Sequence, residues 1–182
     1  VEAIEAIANS MGVEVPRSES DKPARRYDEL FSLMTSVEKH WQAALRDNAA
    51  AVAYLKQRGI DGETARRFGI GYAPDGWSNV LSKCGTTTEA TDRLLATGLI
   101  FSRYTGKHFD RFRDRIMFPI RDQRGRTIGF GGRAIGDGEP KYLNSPETVL
   151  FHKGSELYGL HEARQVLRQI DNLVVVEGYM DV

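Results

Sequence analysis

The chain has 182 residues, 41% hydrophobic and 27% charged, which is enough for a core of one or two small domains without disulfide or metal. Its longest run of Leu, Ile and Val, Leu173 to Val176, is far too short for a membrane span, and Val1 to Ala8 lacks the basic-then-apolar order of a signal peptide. The lone Cys84 excludes an internal disulfide, Cys84 and the four histidines show no zinc spacing, and a cytoplasmic setting fits.

The 25 basic and 25 acidic residues cancel overall but not locally. Residues 1–100 carry 12 Lys/Arg against 14 Asp/Glu, residues 101–135 carry 9 against 3, and residues 136–182 carry 4 against 8. Such segregation predicts a cationic surface beside an acidic one, suited to holding a polyanion near a metal or catalytic carboxylate. A solvated Arg-rich hairpin would give the same pattern.

In chain order, Glu2 to Met11 has Ile4, Ile7, Ala8 and Met11 at helical spacing, and a polar linker follows. From Tyr27 to Arg46 apolar residues recur every three or four positions, which predicts the longest helix. Asn48 caps a helix over Ala49–Gln57, and Asp61 opens another that ends at Gly69. Ile70–Ala73 reads as a short strand, Trp77–Lys83 as a helical turn, Thr87–Ala96 as a helix and Leu99–Tyr104 as a strand. Arg115–Arg121 and Arg126–Ile135 form a β-hairpin around Asp122–Gly125. Glu139–Pro146 is extended, Glu156–Gln169 helical, and Leu173–Val176 a strand buried on both faces. The fold class is α+β: a helical first half, a mixed sheet containing a hairpin, and the first strand of a further α/β domain. The divisions fall at 1–15 (a helix trailing from an upstream domain), 16–25 (linker), 26–170 (main unit) and 171–182. The valine start and the close just after an apolar strand read as an excerpt of a longer protein.

Several groups could carry chemistry. Arg111, Arg113 and Arg115 alternate with Phe112 and Asp114, and an extended chain would put all three guanidiniums on one face. Arg121, Arg124, Arg126 and Arg133 carry the charge on around the hairpin. Guanidinium forks match phosphate oxygens, whereas pairing with Asp110, Asp114 and Asp122 would make the cluster structural. Gly129-Phe130-Gly131-Gly132 is not followed by a helix, which excludes a dinucleotide site; glycines in a strand point to close approach by another chain or a ligand. Lys141 and Lys153 flank a proline turn and are solvated or bind phosphate. Trp77 either stacks on an unpaired base or belongs to the core. Glu177 and Asp181 follow an apolar strand, where α/β sheets build sites for hard cations, though two carboxylates alone cannot complete one.

Three blocks and a terminal motif share a resemblance: Arg111 to Ile120, Ile128 to Arg133, Pro140 to Thr148, and Val176-Glu177-Gly178-Tyr179-Met180-Asp181-Val182. They are similar to the polymerase core of bacterial DNA primases of the DnaG type, the last being like the opening signature of its Toprim domain. The resemblance implies template-directed synthesis of short RNA primers on single-stranded DNA, with a zinc-ribbon domain upstream holding Zn²⁺ and a helicase-binding domain downstream. Residues 26–170 would be the amino-terminal subdomain of the core and 171–182 the start of Toprim. By motif, Arg58, Trp77 and Arg133 would grip the template, with Arg111 and Arg113 beside them. Lys141, Asn144 and Lys153 would lie near ribonucleoside triphosphates or nascent RNA. Glu177 would be catalytic and, with Asp181, would hold Mg²⁺ or Mn²⁺. The implied setting is the cytoplasm, at replication forks of the nucleoid, with the replicative helicase as a partner and no membrane. Another Toprim enzyme, such as a topoisomerase or nuclease, and a non-catalytic single-strand binding module are the alternatives.

Overall fold

The computed structural model describes residues 21–104, 106–167 and 172–182. The helical segment expected at Glu2–Met11 and the first part of the linker lie outside the described residues. Helix α1 (Asp21–Arg46) buries Leu30, Met34, Val37, Trp41 and Leu45, the stripe its periodicity predicts. It starts six residues ahead of Tyr27, inside the expected linker, with Pro23 in the first turn, where a missing N–H breaks no helical bond. Helices α2 (Ala49–Gln57) and α3 (Gly62–Arg67) begin where their caps direct: Asn48 accepts from the Ala51 N–H at 2.9 Å and Asp61 from the Thr64 N–H at 2.7 Å.

The remaining elements are β1 (Gly71–Ala73), α4 (Asn79–Cys84), α5 (Thr88–Ala96), β2 (Ile100–Ser102), β3 (His108–Asp110), β4 (Arg115–Arg121), β5 (Thr127–Ala134), β6 (Tyr142–Asn144) and α6 (Leu160–Val166). The main sheet is antiparallel, in the order β1-β4-β5-β6, and β2 and β3 form a separate two-stranded ribbon. Every residue of β5 and all of β4 except Arg121 is buried, so this hairpin has core on both faces. Met117 and Phe130 pack with Met34, Val37 and Trp41 of α1, and the Trp41 ring meets Phe130 edge-on at 4.8 Å. Ile116 and Phe118 pack with Leu45, Leu55, Ile60 and Ile70.

A buried charge network joins three elements. Arg121 of β4 lies 2.7 Å from Glu38 of α1 and 3.0 Å from Glu162 of α6, and Thr127 donates to the second Glu38 oxygen.

The structure departs from the sequence reading at four places. The strand β3 was not predicted; it forms because Phe109 pairs with Phe101 across the ribbon. The helix expected over Glu156–Gln169 is confined, among the described residues, to Leu160–Val166, because Gly159 takes φ +83 and interrupts it. Its expected last residues lie outside the described ones. Leu173–Val176 forms no strand here: Val174 is 87% exposed, and no strand among the described residues lies beside it to complete a ladder. The glycines of β5 face the protein's own rings rather than a foreign chain: a Cβ on Gly129 would sit 3.0 Å from Phe151, and one on Gly131 would sit 2.3 Å from Tyr179.

Candidate nucleic-acid interface

Arg58 at the end of α2, Arg133 on β5 and Lys141 just before β6 line one cleft of about 260 Å³ together with Tyr54, Asp137 and Glu139. The Arg133 guanidinium donates through Nε to the Tyr54 hydroxyl and through Nη1 to the Tyr142 hydroxyl, and lies 5.0 Å from the Tyr142 ring centroid. Arg58 sits 5.6 Å from the Tyr54 ring. Phenols orient a guanidinium without cancelling its charge, and three of the five Arg133 N–H donors keep no partner among the described residues. No ion pair involving Arg58, Arg133 or Lys141 forms among the described residues. The cleft therefore presents oriented positive charge, the arrangement that holds phosphate.

A second feature centres on Trp77, which is 50% exposed. The Arg113 guanidinium covers its indole at 4.1 Å, Arg103 approaches to 5.4 Å, and Phe109 meets it edge-on at 5.5 Å. A half-exposed indole beside cations has the chemistry that stacks on bases and attracts phosphates. Asp110 lies beneath it, fully buried. Burial raises its carboxyl above the usual range, against the opposing pull of the Val80 and Leu81 N–H groups that donate to it.

Tyr179 anchors a turn that carries Glu177 and Asp181. Its ring stacks on Phe118 at 5.2 Å and 8°, meets Tyr158 edge-on at 4.9 Å, and its hydroxyl donates to Asn144 Oδ1 at 2.9 Å. Asp181 accepts from the Gly178 N–H at 3.1 Å, and Glu177 is exposed at a cavity of about 450 Å³.

Residues 40–164 match the family described as DNA primase catalytic core, N-terminal domain. The chain belongs to this primase family. It is 51% identical over 189 residues to the DNA primase of Pseudomonas putida, covering all of this chain and 29% of that protein. It is 46% identical over 188 residues to the DNA primase of Escherichia coli K12, covering 32% of that protein. The chain thus spans about a third or less of these curated relatives. A solved DnaG primase catalytic domain bound to ssDNA superposes with a TM-score of 0.83 at 48% identity, over 87% of this chain and 52% of that one. A DNA primase domain from Pseudomonas aeruginosa gives 0.81 at 55% identity, over 84% and 49%. The α+β expectation holds, and the primase match sets aside a topoisomerase or nuclease relative.

The primase-core fold regroups the residues singled out from sequence. Arg58, Arg133 and Lys141 come together, whereas Lys153 is not among the residues lining their cleft; it sits exposed on a loop, where its backbone N–H donates to Glu147. Asn144 faces Tyr179. The shared face expected for Arg111, Arg113 and Arg115 does not form, because the chain there is not extended and Asp114 takes φ +47. Arg111 instead donates to the Gly98 carbonyl at 2.9 Å, and burial lowers its pKa. Arg113 turns onto Trp77, and Arg115 is buried against the Pro140 carbonyl at 2.6 Å. Nor does the whole hairpin present free charge: Arg121 belongs to the Glu38–Glu162 network and Arg126 pairs with Asp122 at 2.7 Å. Sequence reasoning gave no role of their own to Tyr54, Tyr142 and Tyr179, and named Asp110 only as an arginine partner. Tyr54 left a signal, four residues before Arg58 on one helical face, and Tyr142 and Tyr179 lie inside the family motifs.

Among the described residues no three His, Cys, Asp or Glu side chains converge as metal ligands. Glu177 and Asp181 alone do not fit a Mg²⁺ or Mn²⁺ site, which takes about six oxygens. Among the described residues no helix is long and apolar enough to cross a membrane.

Proposed function

We propose that this chain supplies the template-holding wall of a DNA primase, the enzyme that makes short RNA primers on single-stranded DNA. The observation that carries this reading is the cleft of Arg58, Arg133 and Lys141, in which Tyr54 and Tyr142 orient Arg133, Arg58 lies over the Tyr54 ring, and none of the three cations forms an ion pair among the described residues. Joining two nucleotides requires a 3′ hydroxyl to attack an α-phosphate while pyrophosphate leaves. Starting without a primer means that protein contacts, rather than an existing duplex, must hold both the template and the first triphosphates. The cleft cations suit phosphate, and the Trp77 platform suits an unpaired base. That a relative has been solved bound to ssDNA supports a single-stranded DNA partner for this chain.

In the whole enzyme, Glu177 and Asp181 would contribute to a divalent-cation site completed by carboxylates from the following domain, with zinc held upstream and the helicase bound downstream. Because two carboxylates are too few, this chain by itself acts as a single-strand binding module and makes no primers. The test is titration of labelled single-stranded DNA into the chain at several salt concentrations, beside primer synthesis with Mg²⁺ or Mn²⁺. Binding with a salt slope that falls by about 0.7 in Arg133→Ala supports the reading. Parent-like binding by Arg133→Ala, or primer synthesis by the 182-residue chain, overturns it.

A further inference from the structure

We infer that Asp110 is a positioning residue for the template, holding Trp77 and Arg113 together as a stacking platform assembled before DNA arrives. The inference rests on the reading that Trp77 contacts single-stranded DNA. Three parts of one residue converge on the platform. The carboxylate, on a residue only 1% exposed, accepts from the Val80 N–H at 2.7 Å through Oδ2 and from the Leu81 N–H at 3.0 Å through Oδ1. These are first-turn donors of α4, which begins two residues after Trp77. Ser78, at the position before that helix, makes no side-chain cap bond, so Asp110 performs the capping from the end of β3. Its own backbone N–H donates to the Trp77 carbonyl at 2.8 Å. Its carbonyl accepts from Arg113 Nη1, and Arg113 then lies 4.1 Å over the indole.

Ordering an exposed indole and a long guanidinium at the moment of binding would subtract from affinity; fixing both beforehand avoids that loss. The chemistry also selects aspartate. Two N–H donors need two acceptor oxygens, and an asparagine of the same shape would turn its NH₂ toward one of them. The neighbouring ribbon completes the mount, with Phe109 edge-on to the indole at 5.5 Å.

The test is a double-mutant cycle on the affinity of the chain for labelled oligothymidylate, using Asp110→Asn and Trp77→Ala, with thermal melting to confirm folding. Trp77→Ala should weaken binding by about 5- to 150-fold if a base stacks there. Asp110→Asn should weaken parent binding by a smaller factor, yet change binding by less than about twofold once Trp77 is gone, because coupled residues are not additive. A general loss of folding would instead act equally in both backgrounds. Since Trp41 is buried and Trp77 half exposed, acrylamide quenching should also rise in Asp110→Asn as the indole loosens. Parent-like affinity of Asp110→Asn, or the same loss with and without Trp77, overturns the inference. If Trp77→Ala binds as the parent does, the reading of Trp77 as a template contact fails and the inference fails with it. Should Asp110→Asn not fold, Arg113→Met takes its place in the cycle: coupling to Trp77 supports the platform, and additivity overturns it.

Discussion

Replacing Gly131 by alanine tests how the turn bearing Glu177 and Asp181 is held. A Cβ at this position would lie 2.3 Å from both Cε2 and Cζ of Tyr179 and 2.6 Å from its hydroxyl. Ordinary contact needs about 3.5 Å or more, so something must move by roughly 1 Å. The strand cannot be the part that moves, since β5 is buried along its whole length and paired on both sides, with Gly131 opposite Phe118 and Asn144. The Tyr179 ring must therefore leave, losing its stack on Phe118 and its hydrogen bond to Asn144. Each is worth about 0.5–1.5 kcal/mol, and alanine recovers about 0.5–1 kcal/mol over glycine in a strand. With the ring's lost burial against Tyr158 added, the net cost should be about 1–3 kcal/mol, or about 2–12 °C in Tm for a chain of this size. Thermal melting of Gly131→Ala, Tyr179→Ala and the double variant decides the matter. Without the ring, the added methyl should be neutral or slightly stabilising. An equal cost with and without Tyr179 would refute the docking of this turn on β5.

Arg121→Ala leaves Glu38 and Glu162 facing each other inside the protein and should cost about 3–5 kcal/mol, seen as a fall in the urea midpoint; a change under about 1 kcal/mol would show that the network is solvated. Burial and the hydrogen bond to Asp114 push the Tyr72 phenol up to about 12. Its folded pKa lies above the unfolded value, so its contribution is fully present below about pH 10 and is lost as pH rises toward 12; Tyr72→Phe should melt with a shallower decline across that window. Because Lys141 shares the cleft with Arg58 and Arg133, Lys141→Ala should reduce the salt slope of single-strand binding by about 0.7, whereas Lys153→Ala should leave it unchanged. Equal slopes for the two variants would remove Lys141 from the template track.

What could be read from sequence divides along the range of the interactions. Helices α1, α2 and α3 and the β4–β5 hairpin were legible because stripes, caps and turns are written in neighbouring residues: Leu30 to Leu45, Asn48, Asp61, and Asp122 to Gly125. The β2–β3 ribbon was hidden because His108–Asp110 has no period of its own and is held by Phe101 and Trp77. The arginines were legible as a group but not one by one. Whether each faces solvent depends on partners far away in the chain, Glu38 for Arg121, Gly98 for Arg111 and Pro140 for Arg115. A single left-handed residue, Asp114, was enough to scatter the three guanidiniums that a period of two would have aligned. The glycines of β5 announced a close approach correctly, but only tertiary structure reveals that the visitors are Phe151 and Tyr179.

The side chains of one face of β5 follow in order: Gly129 under Phe151, Gly131 under Tyr179, and Arg133 in the cleft. Adjacent members of this series are two residues apart, about 7 Å along an antiparallel strand. The separation between the anchor of the carboxylate-bearing turn and the cation of the cleft is thus measured out by main chain in a strand that neighbours grip on all sides. Side-chain substitutions around the cleft can alter charge or grip but cannot change that interval. A slip of one residue would do worse than shift it, since Arg133 would turn toward the Trp41 core and the two halves of the site would end up on opposite faces of the sheet. For a cation cleft and a carboxylate turn held at constant spacing, the strand is a gauge block, and its missing side chains are the notches that set the reading.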